Sequence, residues 1–266
     1  MTLFSAKNIT AGYGEKVVVS DVSFELDGGC VLGIVGANGS GKTTLLKAIC
    51  GILSHTGESR IQGKILEKQS SRQLAKICSY IPQRSGISID ISALDVVLMG
   101  FNPYLKLLEN PTHEMEQIAR EMLSKVGLSG KENTNYMHLS EGQKQLCILA
   151  RTLGVDSKLL LLDEPESALD FQHRYKMLNL IRDWVNDNER CVIVTLHDPA
   201  LALNYCDKLL VLSEGSVLDI INPRSDSIQS MEAVLSKIYG KVSLQYCMTK
   251  NCQKQLVMLK EEEGWM

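Results

Sequence analysis

The chain has 266 residues, 44% hydrophobic and 22% charged, with a formal net charge of −3 at pH 7. At roughly 150 residues per domain this allows one large domain or two small ones, with a core that needs no disulfide or metal staple. A mean hydropathy of −0.02 and apolar runs far shorter than the ~20 residues of a spanning helix exclude a chain that crosses a bilayer by itself, and the slightly acidic balance lacks the basic excess of a nucleic-acid binder.

The N-terminus, Met1-Thr-Leu-Phe-Ser-Ala-Lys7, has no basic segment followed by an apolar one, so no signal peptide is expected. The first third reads as β. Leu3–Ile9, Val17–Val19 and Val22–Leu26 are rich in β-branched residues and are broken at Gly12, Gly14 and Gly28-Gly29. Val31–Val35 is a short apolar run of buried-strand type. It leads through a glycine-rich turn into a helical pattern over Thr44–Cys50. Arg60–Leu66 predicts another hairpin strand, Gln69–Lys76 a short helix, and Cys78–Pro82 a strand stopped by proline.

From about Ile91 to Leu153 the period becomes helical, as in Met115, Ile118, Ala119, Met122, Leu123 and Val126, with interruptions at Pro103 and Pro111. Short buried strands then return at Leu159–Leu162, Cys191–Leu196 and Leu209–Leu212. Strands of this kind between helices predict an α/β fold with a parallel sheet covered on both faces. The tail offers one helix, Met231–Tyr239, and two strand-like runs, Val242–Tyr246 and Gln255–Leu259. It ends in a charged stretch, Lys260–Glu263, which reads as solvated.

Most of the eight cysteines sit inside apolar runs, where a thiol acts as a small hydrophobe, and their scatter suggests a reducing compartment. Cys247 and Cys252 are close-spaced, but no second Cys/His pair accompanies them, so they read as incidental tail residues.

Gly36-Ala-Asn-Gly-Ser-Gly-Lys-Thr43 matches G-x-x-x-x-G-K-[ST] between a strand and a helix, and Thr44 follows. Gly36, Gly39 and Gly41 allow the backbone to curl so that successive N–H groups, with those of Asn38 and Ser40, point at one anion. The helix start adds its positive end. Lys42 is placed to reach the β- and γ-phosphates, and the Thr43 hydroxyl to ligate Mg²⁺. Asp163-Glu164 ends the strand Leu159–Leu162, at the carboxyl edge where ligands gather in open α/β sheets. Asp163 is expected near the metal and Glu164 near the attacking water.

Further motifs stand in order: Leu139-Ser-Glu-Gly-Gln143, Asp163-Glu164-Pro165, Ser167-Ala-Leu-Asp170, and His197 directly after a strand. With the phosphate loop this series resembles the ATP-binding cassette ATPase family over roughly residues 1–225. The resemblance implies a P-loop NTPase cassette with a mostly parallel core sheet, an N-terminal antiparallel β subdomain and a helical subdomain inserted at about 85–155. Residues 226–266 would form a small appendage. It implies that Tyr13 stacks on adenine, that Gln83 touches Mg²⁺ or water and hinges the helical lobe, and that His197 contacts the γ-phosphate. Ser140, Gly142 and Gln143 would cap the γ-phosphate of the opposite subunit, and Asp170 would lie at the dimer interface.

Position 141 departs from the family's usual Leu-Ser-Gly-Gly-Gln. Ser140-x-x-Gln143 is a capping-box pattern, and a carboxylate at Glu141 is tolerated in a helix's first turn. Glu141 is therefore expected to point aside and leave ATP hydrolysis intact. The family's site takes a phosphate loop from one subunit and a signature from the other, so the resemblance implies a working homodimer here, closed by ATP and reopened after hydrolysis.

The stretch Asp95–Tyr104, Asn110-Pro-Thr112 and Leu169-Asp-Phe-Gln-His173 resemble importers of ferric chelates, haem and vitamin B12. That resemblance implies a permease dimer docked near Gln83 and Ile87–Tyr104, indirect work with a substrate-binding protein, no nucleic acid, and a place on the cytoplasmic face of a bacterial membrane. The alternatives are the ATPase of an exporter or of another metal importer, and a soluble cassette such as those of iron–sulfur assembly. The cargo is left open among ferric siderophore, haem, cobalamin and molybdate.

Overall fold

In the computed structural model, which describes residues 2–83, 86–186 and 189–261, the chain opens with a long hairpin, β1 (Thr2–Tyr13) and β2 (Lys16–Asp27). Strand β3 (Val31–Val35) leads into helix α1 (Lys42–Ile49). Strands β4 (His55–Ile61) and β5 (Lys64–Ile65) follow, then α2 (Ser71–Ile77) and β6 (Cys78–Ile81). Helices α3 (Ala93–Leu98), α4 (His113–Val126) and α5 (Glu141–Leu153) come next and pack on one another. Alternation resumes with β7 (Leu159–Asp163), α6 (Phe171–Val185), β8 (Cys191–Thr195), α7 (Pro199–Tyr205), β9 (Lys208–Ser213) and β10 (Ser216–Ile221). The tail holds α8 (Ile228–Tyr239) and the hairpin β11 (Val242–Met248) and β12 (Lys254–Lys260).

A six-stranded sheet in the order β10-β9-β3-β8-β7-β6 forms the centre. All its pairings are parallel except β9 with β10, which is an antiparallel edge hairpin. Every residue of β3, β7 and β8 is buried, because both faces of the sheet are covered. Odd and even positions serve different cores. Leu159, Leu161 and Ile193 face α1 and the N-terminal hairpin, together with Phe4, Leu45 and Leu46. Leu160, Leu162 and Val194 face the helical side, together with Leu123, Ile148 and Met177. Continuous apolar runs follow from this two-sided burial; half-exposed strands alternate instead.

The four-stranded antiparallel sheet β2-β1-β4-β5 stands against the first core. The predicted strand Arg60–Leu66 divides here into the ends of β4 and β5, which turn at Gln62-Gly63 with φ of 48° and 77°. The predicted helix near Gln69 starts at Ser71, because Ser70 and Gln73 close a capping box. Strand β10 was absent from the sequence reading. The tail docks on the rest of the chain: Met231, Val234 and Leu235 of α8 join the helical-side core, and the Asn204 side chain bonds both N–H and C=O of Leu256 in β12, at 2.9 and 2.8 Å. The charged end Lys260–Glu263 falls outside the described residues beyond position 261. Among the described residues, no helix is long and apolar enough to cross a membrane.

Candidate functional site

The carboxyl ends of β3, β7 and β8 converge on the loop between β3 and α1. Two of the glycines of this loop, Gly36 and Gly41, are required by close approach. A Cβ on Gly36 would lie 2.3 Å from the Leu212 carbonyl, and one on Gly41 would lie 2.5 Å from Val19 at a φ of +102°. Lys42 is 7% exposed and donates to the Gly36 and Ala37 carbonyls at 3.0 and 3.1 Å. Its Nζ is thus held by the backbone of its own loop. Burial pulls the Lys42 ammonium below its usual range, opposed by the Glu164 and Asp163 carboxylates. A cleft of about 190 Å³ is lined by Asn38, Gly39, Gly41, Lys42, Thr43 and Thr44 of the loop, with Val18 and Glu164.

Asp163 is buried at the end of β7, and each oxygen is engaged. Oδ1 accepts from the Thr43 hydroxyl at 3.0 Å and from the Thr195 hydroxyl at 2.9 Å, while Oδ2 accepts from the Tyr80 phenol at 3.4 Å. Burial and the Asp163 charge both push the Tyr80 phenol up, so it remains a donor. Glu164 follows with φ of +46°, a conformation uncommon outside glycine. Its backbone N–H donates to the Thr195 hydroxyl at 2.8 Å, and its Oε2 accepts from Gln83 Nε2 at 2.7 Å. Thr195 thereby pins Asp163 and Glu164 together from the neighbouring strand.

His197 lies just past β8 with an exposed ring, and its backbone N–H donates to Glu166 Oε1 at 2.9 Å. Glu166 is 2% exposed, and burial pushes its carboxyl up from the usual glutamate range. Thr195, Tyr80 and Glu166 were not singled out from the sequence. Thr195 lies inside an apolar run, and Glu166 belongs to no motif that the sequence displays. Their partners are distant in the chain, so no local signal marks them.

A second group stands apart. Ser140 caps α5, with the full capping box to Gln143 that the sequence predicts. Glu141 is turned onto Lys144, with Oε1 to Nζ at 2.8 Å. Ser140, Glu141, Gly142, Gln143 and Asp170 line a cavity of about 410 Å³ that also includes His173. Asp170 caps α6 by accepting the His173 N–H at 2.9 Å, and the bonds from His173 hold its carboxyl below the usual range. None of these residues lines the phosphate cleft. Tyr13 is 51% exposed at the end of β1 and lines a third cleft with Val17 and His55. Val17 lines that cleft and Val18, adjacent on β2, lines the phosphate cleft.

The arrangement therefore joins an anion cradle, a cation, a buried carboxylate with hydroxyl partners, and a second carboxylate at one sheet edge. Residues 19–167 match the family model described as ABC transporter. The chain belongs to the ABC transporter family. It is an ATP-binding, ATP-hydrolysing subunit of that family. It is 36% identical over 228 residues to the hemin import ATP-binding protein HmuV of Pseudomonas fluorescens, covering 84% of this chain and 88% of that one. It is 34% identical over 226 residues to HmuV of Vibrio parahaemolyticus, covering 83% and 85%. Among solved structures, it superposes with a TM-score of 0.81 and 25% identity on a transporter assigned to the metal-chelate type in an inward-facing conformation, over 98% of this chain and 99% of that one. The ABC ATPase thus has the expected cassette fold, with its mostly parallel sheet, antiparallel β part and helical segments.

Proposed function

We propose that this ABC ATPase powers an importer of metal chelates, with haem, ferric siderophores and cobalamin as the cargo class. Its likeness to hemin import ATP-binding proteins and to the metal-chelate type transporter supports that class. The cassette is read as residues 1–225 with a helical insertion at about 85–155, and 226–266 as an appendage docked through α8 and β12.

The observation that carries the mechanism is the separation of the phosphate cleft from the Ser140–Gln143 cavity within one chain. A nucleotide held by Gly36, Asn38, Gly39, Ser40, Gly41, Lys42, Thr43 and Thr44 meets Ser140, Gly142 and Gln143 only if a second copy supplies them. That favours a head-to-tail homodimer, closed by ATP, with Asp170 at the seam and Tyr13 against the base. The oxygen donors Thr43, Gln83 and Asp163 suit Mg²⁺, a hard cation that takes oxygen ligands. When bound, such an ion neutralises phosphate charge. Glu164 orients and deprotonates the attacking water, Gln83 holds the Glu164 carboxylate, and His197 contacts the γ-phosphate. The permease dimer docks near Gln83 and Ile87–Tyr104 on the cytoplasmic side of a bacterial membrane, and a substrate-binding protein delivers the cargo.

The test is ATP hydrolysis by this chain reconstituted with the permease encoded beside it. Binding protein loaded with haem or a ferric chelate should stimulate the rate over unloaded binding protein. Equal rates with every iron and cobalamin ligand, or no permease bound, would refute the importer reading.

A further inference from the structure

Glu166 occupies the turn between β7 and α6. This turn is tight: Ser167 N–H donates to the Glu164 carbonyl at 3.2 Å, and Leu169 N–H to the Glu166 carbonyl at 3.0 Å. Glu164 and Glu166 therefore share one hydrogen-bonded turn. The Glu166 side chain is buried, and Oε1 accepts the His197 amide. Its Oε2 is also buried and has no hydrogen-bond partner among the described residues. An unpaired buried carboxylate oxygen carries a desolvation cost that a small neutral side chain would avoid. Arg174 on α6 offsets part of it through charge alone, since its own buried Nε is likewise unpartnered among the described residues. The other titratable groups around Glu166 are Glu164 on the same turn, His197, and the Cys206 thiol after α7.

The gain is a specific tie. The β8 ladder ends at Thr195, paired with Asp163. Past that point His197 has left the sheet, and its amide bond to Glu166 fixes it to the turn that carries Glu164. A charged acceptor makes this bond stronger than a neutral one would. We propose that Glu166 is a positioning residue for hydrolysis: acting through the His197 amide, it holds His197 in register with Glu164. The proposal rests on the reading of Glu164 and His197 as the hydrolytic pair.

The experiment measures kcat and KM for Mg-ATP on the full chain and on Glu166→Gln, Glu166→Leu, His197→Ala and the Glu166→Leu/His197→Ala double variant. Glu166→Leu, which removes the acceptor, should lower kcat by about tenfold to a hundredfold, as displacement of a reacting group does, with KM little changed. Glu166→Gln, which keeps an acceptor oxygen, should restore most of kcat. In the His197→Ala background, Glu166→Leu should add almost nothing, because residues acting as a unit are non-additive. If Glu166→Leu fails to fold, Glu166→Asp, which shortens the reach, takes its place in the same cycle. Losses that multiply in the double variant, with His197→Ala itself impaired, overturn the proposal alone. Full activity in His197→Ala overturns both the proposal and the reading beneath it.

Discussion

Glu166 has a measurable signature in stability as well as in rate. Burial raises its carboxyl above the ordinary glutamate value of 4.5, so the folded chain binds this proton more readily than the unfolded chain. Its contribution is then fully present below the ordinary value and is lost as pH rises through the raised one. The Tm of the native chain relative to Glu166→Gln should therefore fall as pH rises above that ordinary value. A pH-independent difference would show that the burial has no electrostatic cost. Glu141 poses the opposite case, a charge on the surface. It is 79% exposed and paired with Lys144. Its carboxylate is held by Lys144 rather than by a group of the phosphate cleft, so Glu141→Gly should alter the ATPase rate by no more than about fivefold, a change of about 1 kcal/mol in the barrier. A gain of tens-fold would mean that the carboxylate obstructs the nucleotide.

At the scale of elements, the site depends on how loops are tied to helix and strand ends. Removing the Ser140 hydroxyl leaves the Gln143 amide without its cap, and Ser140→Ala should cost about 1 kcal/mol, read as a lowered Tm. Gly36→Ala acts more severely, because a Cβ would meet the Leu212 carbonyl and Ser40 Oγ at 2.3 and 2.7 Å. ATP binding by that variant, measured calorimetrically, should be lost. Much of this was legible in the sequence, since the phosphate loop, the Ser140–Gln143 box and the apolar runs at β3, β7 and β8 are local patterns with local causes. The rest depends on contacts between segments far apart. Thr195 acts through Asp163 and Glu164, and Glu166 through His197, across gaps of 31 or 32 residues. Strand β10 escaped because its exposed positions make it an antiparallel edge rather than a buried run, and its turn is Glu214-Gly215, with φ of 48° and 79°, in place of the stronger Asn-Gly or Asp-Gly signal.

The proposed site is divided between two copies, so the behaviour of the whole molecule should depend on assembly. Glu164→Gln keeps the cradle and the Gln83 neighbour but removes the carboxylate proposed as the base. It should bind ATP, fail to hydrolyse it and accumulate as a dimer, which light scattering at saturating Mg-ATP would detect. A variant that stays monomeric under those conditions would contradict the composite arrangement. The tail lies on the opposite account, joined by α8 and by Asn204 to the cassette but outside the matched residues 19–167.

The distribution of thiols gives that tail a practical handle. Cys30, Cys50, Cys78, Cys147, Cys191 and Cys206 are buried, whereas Cys247 and Cys252 are exposed on the terminal hairpin. Burial pushes Cys30 and Cys50 up to about 11 and Cys147 up to about 12, and it raises Cys78, Cys191 and Cys206 as well. A maleimide fluorophore or spin probe will therefore modify the hairpin and spare the interior. The unaltered chain comes with its own labelling points, from which the separation of two tails in the proposed dimer can be followed as nucleotide is added and consumed.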